Sequence, residues 1–373
     1  MNTGGTEAPN YYIGLLSGTS LDSIDAAVID LSGKKIQLID SLNYKIPEVL
    51  RQQLIALCLP DDNEIDRMGE ADRTLGKVFS DATKTLLSQC KIPKEDIRAI
   101  GSHGQTIRHR PQLQYPFTLQ IGDPNTIAYE TGITTVTDFR RKDIAAGGQG
   151  APLAPAFHQA AFASGKHNRA IINIGGMANI TYLGSNGDNS GFDTGPGNIL
   201  MDSWIKKYQQ KDYDDNGEWA ASGTVDQFLL SQLMSHSYFQ QALPKSTGRE
   251  DFNLPWLEKI TASLTLSPQD IQATLLEFTA KTISNEIEKL PAEVNEIYIC
   301  GGGALNTHLM LRLETMTHPR LIANTAQLGI PAQWVEAAAF AWLAKQTMER
   351  RHANLVNATG ARETVILGAV YYV

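Results

Sequence analysis

One unit of the chain occurs twice, about half a chain apart, and it constrains the fold more than any other feature. Residues 11–31 read as an apolar run (YYIGLL), a turn rich in glycine and serine (SGTSLDS) and a second apolar run (IDAAVIDL). From Arg169 the layout repeats as RAIINI, GGMAN and ITYLG, and Gly176 stands 158 positions after Gly18. Apolar, β-branched runs on either side of a glycine turn read as strand, turn and strand. A repeat at half-chain spacing points to a duplicated α/β domain rather than a short-period solenoid. The length agrees: 373 residues with 42% hydrophobic content can bury one large core or two ordinary ones, and two are the default, since cores rarely grow past about 250–300 residues. The expected division is residues 1–140 plus 350–373 in one domain and 141–349 in the other.

Helical patterns fill the space between these units. Ser267-Pro268 followed by Asp270 reads as an N-cap, a proline at the first helical position and an acid in the first turn. Ile271, Leu275, Phe278, Ile283 and Ile287 follow at near-helical spacing, so a long amphipathic helix is expected here, with Glu277, Glu286 and Glu288 in solvent. Pro291 and the apolar run EIYIC lead into Gly301-Gly302-Gly303 and then the helical THLMLRLETM. The alanine-rich AQWVEAAAFAWLAKQ reads as another helix, with Trp334, Phe340 and Trp342 as core residues, and TVILGAVYYV as a strand returning to the first domain.

Charge and cysteine content exclude several classes. A net charge of −8 opposes the basic surface that nucleic acid or anionic lipid requires, so a small-molecule partner is expected, with no nucleic acid and no membrane. The start, MNTGGTEAPN, has no basic or apolar leader character, and no run approaches the ~20 apolar residues of a membrane span, which implies a cytoplasmic protein. Cys58, Cys90 and Cys300 lack the paired spacing of a zinc site or a disulfide framework and are expected to be reduced and inert.

Phosphate groups need many backbone N–H donors at short range, and glycine lets a backbone come that close. Ser17-Gly18-Thr19-Ser20 and Gly175-Gly176-Met177-Ala178 are thus candidate phosphate hairpins, with Gly301-Gly302-Gly303 on the nucleoside side. Any one of them alone could equally be a tight turn; three in this order favour a polyphosphate clamp. The chain has neither GxxxxGK[ST] nor a GxGxxG after a strand, which argues against a P-loop or a dinucleotide fold.

At these residues the resemblance becomes specific. IGLLSGTSLDSIDAAVIDL, GSHGQTIRHRP, QIGDPNTIAYETGITTVTDFRRKDIAAGGQGAPLAPAFH, NIGGMANIT, GFDTGPGNILMD, PKSTGREDF and CGGGALN follow one another over nearly the whole chain. Together they resemble the anhydro-N-acetylmuramic acid kinase family. The resemblance implies an actin/hexokinase/Hsp70-like α/β fold, with duplicated ribonuclease-H-like domains and an inter-domain cleft that closes on ATP and sugar. It also implies Mg²⁺, a homodimer, and a role in recycling cell-wall sugar. The reaction would hydrolyse the 1,6-anhydro ring of 1,6-anhydro-N-acetylmuramic acid with water and phosphorylate the freed O6, giving N-acetylmuramic acid 6-phosphate and ADP. ATP contacts would run through Gly18, Thr19, Ser20, Leu21, Asp22, Ser23, Ile24 and Asp25, then Gly175, Gly176, Gly301, Gly302 and Gly303. Many members of the wider superfamily carry an aspartate before the first glycine turn. Here Gly14-Leu15-Leu16-Ser17 precedes it, and no metal ligand is assigned.

Phosphoryl transfer needs positioning, charge neutralisation and a base for the attacking oxygen. Asp193, framed by Gly191, Gly195 and Gly197 in an expected loop, can supply that base, although the same residue could simply cap its own turn. The resemblance favours catalysis. His103 lies between small residues after the run IRAI and suits a sugar hydroxyl, or a hydrogen bond within its own turn. Asp138 and Arg140 end the strand-like ITTVTDF, where open α/β sheets place ligands. The sugar and its lactyl carboxylate are their candidate partners, and a hinge is expected near residues 137–150. Glu336 opens the alanine-rich helix, either as a cap of its dipole or, on the family match, as a sugar ligand. Lys245 and Arg249 could meet ATP phosphates or hold a loop by ion pairs. The rival readings are another sugar or acid kinase of this fold and a nucleotide-switched binding protein. The second would need a peptide-binding module or polymer contacts, and a transcriptional regulator of sugar-kinase ancestry would need a basic helix-turn-helix; neither a chaperone module nor such a motif is expected here.

Overall fold

The computed structural model describes residues 9–18, 21–33, 35–243, 245–249 and 251–373. The chain divides into two compact units, one made of the residues up to Ala161 together with Trp334–Val373, the other of Phe162–Gln333.

The first unit is built on a six-stranded sheet of β1 (Tyr11–Ser17), β2 (Ser23–Asp30), β3 (Gln37–Lys45), β4 (Ile97–Ser102), β7 (Thr135–Thr137) and β13 (Ala369–Tyr371), in the order β13-β7-β4-β1-β2-β3. The separate hairpin of β5 (Gln105–Arg110) and β6 (Phe117–Ile121) completes its strands. The second unit carries β8 (Arg169–Ile174), β9 (Met177–Leu183), β10 (Asn189–Pro196), β11 (Glu296–Cys300) and β12 (Leu321–Asn324), in the order β10-β9-β8-β11-β12. In each unit three strands meander antiparallel, β1-β2-β3 and β8-β9-β10. Two further strands are added in parallel, β4 and β7 beside β1, β11 and β12 beside β8. The duplicated ribonuclease-H-like architecture is therefore present strand for strand, with β13 added antiparallel to β7. The C-terminal run TVILGAVYYV yields only this three-residue strand, because Gly368 at φ +89° breaks the extended backbone ahead of it.

Each unit has its own core, one around Ile13, Leu15, Ile24, Leu75 and Phe79, the other around Ile172, Ile180, Phe192, Trp204 and Phe278. The helix Val335–Met348 packs on β1 and β4 at backbone distance. A β-carbon at residue 14 would lie 1.7 Å from the Ala337 carbonyl oxygen, and one at residue 101 would lie 2.0 Å from that of Phe340. This helix therefore belongs to the first unit. The chain crosses between units at 161/162 and 333/334, not at the expected 140/141 and 349/350. The alanine-rich pattern marked a helix, but not which sheet it lies on.

The helix Pro268–Ile287 starts as its sequence predicts, with the Ser267 side chain accepting from Asp270 N–H. It is buried nearly all round rather than amphipathic, which corrects two expectations of solvated acids. Glu277 makes a two-pronged ion pair with Arg312 at 2.7 and 2.8 Å, and Glu286 is 2% exposed. Glu288 is exposed and pairs with Arg320.

Candidate active site

The first glycine turn joins β1 to β2. Thr19 and Ser20 lie outside the described residues. Gly18 accepts from Leu21 N–H at 3.2 Å, and a β-carbon on Gly18 would meet nothing within 4 Å among the described residues. Leu21 is buried at φ +60°, a backbone region that costs a bulky side chain strain. Of the acids that follow, Asp22 is exposed and pairs with Arg51 at 3.1 Å. Asp25 is half-buried and accepts from Asn43 Nδ2 at 2.8 Å. Burial pushes the Asp25 carboxyl up to about 6 despite that bond. A carboxyl raised on folding favours the folded state below its unfolded value near 4 and loses that contribution as pH rises through 6. Asp25→Asn is therefore expected to stabilise the first unit by about 2 kcal/mol at pH 7.5 and to give no gain at pH 4. Thermal melts of both proteins at the two pH values check this.

In the second unit the turn at Gly175-Gly176 packs against the start of the helix Ile199–Gln209. Gly197 and Ile199 N–H donate to Gly176 O at 2.9 and 3.1 Å, and Asn198 N–H donates to Gly175 O at 2.8 Å. The glycine triplet after β11 sits on the same turn. Gly301, at φ +79°, and Gly303 are packing glycines: their β-carbons would fall 2.3 Å from Asn173 Oδ1 and 2.3 Å from Ile174 Cγ2. Gly302 is different, since the nearest atom to its β-carbon position is Asn198 Nδ2 at 3.8 Å. Alanine at 303 is expected to destabilise the fold by about 1–3 kcal/mol through overpacking. Alanine at 302 is expected to leave melting unchanged and raise the KM for ATP several-fold. Melts and ATP titrations of the two variants separate packing from nucleotide approach.

Asp193 lies in β10, an edge strand, rather than in the expected loop. The glycines and proline are accommodated by a register shift between Asp193 and Gly195. Its backbone N–H and C=O and one carboxylate oxygen are engaged by residues 238, 245 and 247. Its N–H donates to Lys245 O at 3.1 Å, its carbonyl accepts from Tyr238 OH at 2.6 Å, and its Oδ2 accepts from Thr247 N–H at 3.0 Å. Burial raises the Tyr238 phenol far above its usual range, aided by the charges of Asp193, Glu286 and Asp251, so it remains a donor. Asp193 stands in register with Asn179 on β9, and Asn179 with Asn173 on β8. Oδ1 of both asparagines is buried without a hydrogen-bond partner among the described residues. A single asparagine within each of two otherwise apolar, β-branched strands was the overlooked signal of this polar row. Lys245, considered for ATP, instead forms a buried ion pair with Glu286 at 3.0 Å.

In the first unit, His103 and Arg140 come together. His103 is 7% exposed and Nδ1–H donates to Gly104 O at 3.0 Å. That leaves Nε2 to accept from Arg140 Nε at 3.0 Å and Nη2 at 2.9 Å. Burial, then the Arg140 charge, holds the imidazole well below its ordinary range, so it is neutral. Arg140 also donates to Gly150 O at 2.8 Å. Desolvation brings its guanidinium down to about 10 against the charges of Glu336 and Asp143. Glu336 lies in the first turn of the helix Val335–Met348, within electrostatic reach of Arg140. Asp138, at φ +60°, is held apart from this pair by Arg141, whose Nε donates to it at 2.7 Å. The loop that presents Arg140 is fixed by Asp143, a fully buried carboxylate missed in the sequence. It accepts from Gly150 N–H, Asn354 Nδ2 and Thr359 Oγ1 at 2.8–2.9 Å.

Among the described residues no group of three or more His, Cys, Asp or Glu is placed to hold a metal, and no helix is long and apolar enough to cross a membrane. A profile of the family "Anhydro-N-acetylmuramic acid kinase" matches residues 10–373. The anhydro-N-acetylmuramic acid kinase of Shewanella sp. (strain MR-4) is 54% identical over 360 residues, 96% of this chain and 97% of that one. The protein of the same description from Coxiella burnetii (strain Dugway 5J108-111) is 51% identical over 363 residues, 97% of each chain. Among solved structures, the activator of the 2-hydroxyisocaproyl-CoA dehydratase from Clostridium difficile is 14% identical, with a TM-score of 0.46 over 91% of this chain and 97% of that one. Room for a ligand at Gly18 and at Gly302, one held aspartate on an edge strand and a family match over residues 10–373 lead to one assignment: the chain belongs to the anhydro-N-acetylmuramic acid kinase family and is an ATP-using sugar kinase.

Proposed function

We propose that Asp193 is the base of a coupled reaction in which water opens the 1,6-anhydro ring of 1,6-anhydro-N-acetylmuramic acid while O6 takes the γ-phosphoryl group of ATP. The observation that carries this reading is the engagement of Asp193's N–H, carbonyl and carboxylate by residues 238–247, which presents one carboxylate in one orientation. Asp193 removes a proton from water as the water oxygen bonds C1. The C1–O6 bond breaks, O6 bonds phosphorus, and the bond from phosphorus to the ADP oxygen breaks. Phosphoryl capture of O6 takes the place of the acid that glycoside hydrolysis otherwise requires, so one carboxylate serves where two are usual.

The sugar is assigned to groups of the first unit. Neutral His103 and charged Arg140 suit a hydroxyl and the lactyl carboxylate, and guanidinium favours carboxylate through its planar donor fork. Glu336 and Asp138 are assigned to hydroxyls. ATP is assigned to residues 18–25, Gly175, Gly176 and Gly301–Gly303, with Gly18, Gly175 and Gly302 the positions where a ligand has room to approach. Magnesium supplies charge neutralisation on the phosphates. Among the described residues no group of three or more His, Cys, Asp or Glu is placed to hold it, so its ligands would come from phosphate oxygens and water, as its coordination chemistry prefers. A cytoplasmic setting follows from the need for ATP, and a homodimer is the assembly the family resemblance suggests.

The test is ADP release with ATP, Mg²⁺ and either 1,6-anhydro-N-acetylmuramic acid or its hydrolysed form. Turnover with the anhydro sugar and a 6-phosphorylated product support the reading. Equal turnover of the hydrolysed sugar points to an ordinary sugar kinase of the same fold.

A further inference from the structure

Asp193 occupies an edge strand, where the outer N–H and C=O groups have no neighbouring strand, and the residue next to it is a register shift. Such a position is ordinarily among the least constrained in a sheet. Here the constraint comes from residues 238–247, and that segment is itself anchored at Lys245. Ser246 beside it is exposed, whereas the Lys245 side chain is 1% exposed, with its ammonium 3.0 Å from Glu286 Oε1 and 4.7 Å from the centre of the Tyr238 ring. Glu286 sits on the helix Pro268–Ile287, a long buried element whose position the core fixes.

We infer that the buried Lys245–Glu286 ion pair and Tyr238 form a clamp that holds the Asp193 carboxylate in its working orientation. Lys245, Glu286 and Tyr238 are thus positioning residues for the reaction proposed above, and the inference rests on Asp193 being its base. Three links join the clamp to Asp193, two at its backbone and one at its carboxylate. The Lys245 carbonyl takes the Asp193 N–H, the Tyr238 hydroxyl takes its carbonyl, and two residues beyond Lys245 the Thr247 N–H takes Oδ2. Other described charges close to the clamp include Lys289, which reaches the same Glu286 oxygen at 2.8 Å from an exposed position, and Asp251, which accepts from Thr247 Oγ1 at 2.7 Å. Glu286 Oε2 is buried with no hydrogen-bond partner among the described residues. A buried ion pair with one oxygen unsatisfied contributes little net stability, because desolvation offsets its attraction. What it supplies is a fixed geometry.

Two variants of the full chain test this, each compared with wild type by thermal melting, by kcat and KM for both substrates, and by the solvent deuterium isotope effect on kcat. Tyr238→Phe removes one hydroxyl and no charge. Lys245→Met combined with Glu286→Gln removes both charges together, so no unpaired ion is left buried. Each is expected to melt as a folded protein and to lose about ten-fold to a hundred-fold in kcat, as a misplaced group does. Each KM should stay within about two-fold, with a larger isotope effect because proton transfer from water becomes more limiting. A purely structural role would lower the melting temperature and leave kcat per folded molecule and the isotope effect unchanged. That result in Tyr238→Phe would overturn the inference, whether or not the double variant folds. Asp193→Asn run alongside separates the two layers. If it keeps wild-type turnover, the base assignment falls and the clamp with it. If it is inactive while both clamp variants keep wild-type kcat, only the clamp falls.

Discussion

Asp193→Asn is expected to lower kcat with the anhydro sugar by about 10³-fold, within the range that general-base catalysis contributes, or roughly 4 kcal/mol of barrier. The substitution keeps shape. Asparagine Oδ1 can still accept from Thr247 N–H, and the backbone bonds to Lys245 and Tyr238 are untouched, so melting should shift little. The KM for ATP should stay within about three-fold, because only an interaction made as the proton leaves water is lost. Steady-state kinetics on protein of confirmed fold are the check. A loss of less than about ten-fold would leave Asp193 as a capping residue of its own bulged strand.

The largest effect on stability is expected at Gly14. Alanine there would place a methyl 1.7 Å from the Ala337 carbonyl oxygen and 2.9 Å from Ala341 N. These are backbone atoms of the helix Val335–Met348 and cannot rotate away, so the helix must lift off β1. The cost should exceed the roughly 1–3 kcal/mol of ordinary overpacking, a large part of the 5–15 kcal/mol that stabilises a typical domain. Soluble yield and melting temperature should both collapse. Gly18→Ala, at a position with nothing within 4 Å among the described residues, is the control and should melt like wild type. A Gly14→Ala protein that melts within a few degrees of wild type would mean that helix and sheet are farther apart than described.

Local chemistry made much of this fold readable. The glycine-centred runs at residues 11–31 and 169–183 gave two matching pairs of strands, and Ser267-Pro268 marked the first turn of the long helix. What escaped depends on partners distant in sequence. Nothing near Glu286 or Glu277 announces Lys245 or Arg312, which turn a helix with a solvated face into a buried one. Asp193 was found for its glycine frame, yet the frame bends an edge strand instead of making a loop, because Asn179 and residues 245–247 give it neighbours on both sides. His103 and Arg140 were each singled out separately; only the fold shows that one bonds the other, 37 residues away. Asp138 was chosen by the same strand-end argument, and the fold adds a local partner that the argument did not supply, Arg141.

The central claim is that one water molecule, activated at Asp193, opens the sugar while ATP captures O6. The most direct measurement is a brief single-turnover reaction in ¹⁸O-water with ATP, Mg²⁺ and 1,6-anhydro-N-acetylmuramic acid, with the sugar phosphate and ADP analysed by mass spectrometry. The account predicts one ¹⁸O at the anomeric oxygen, none in the transferred phosphoryl group, and one ADP per labelled sugar. Label in the phosphoryl group, or a 6-phosphate formed without ¹⁸O, would contradict it.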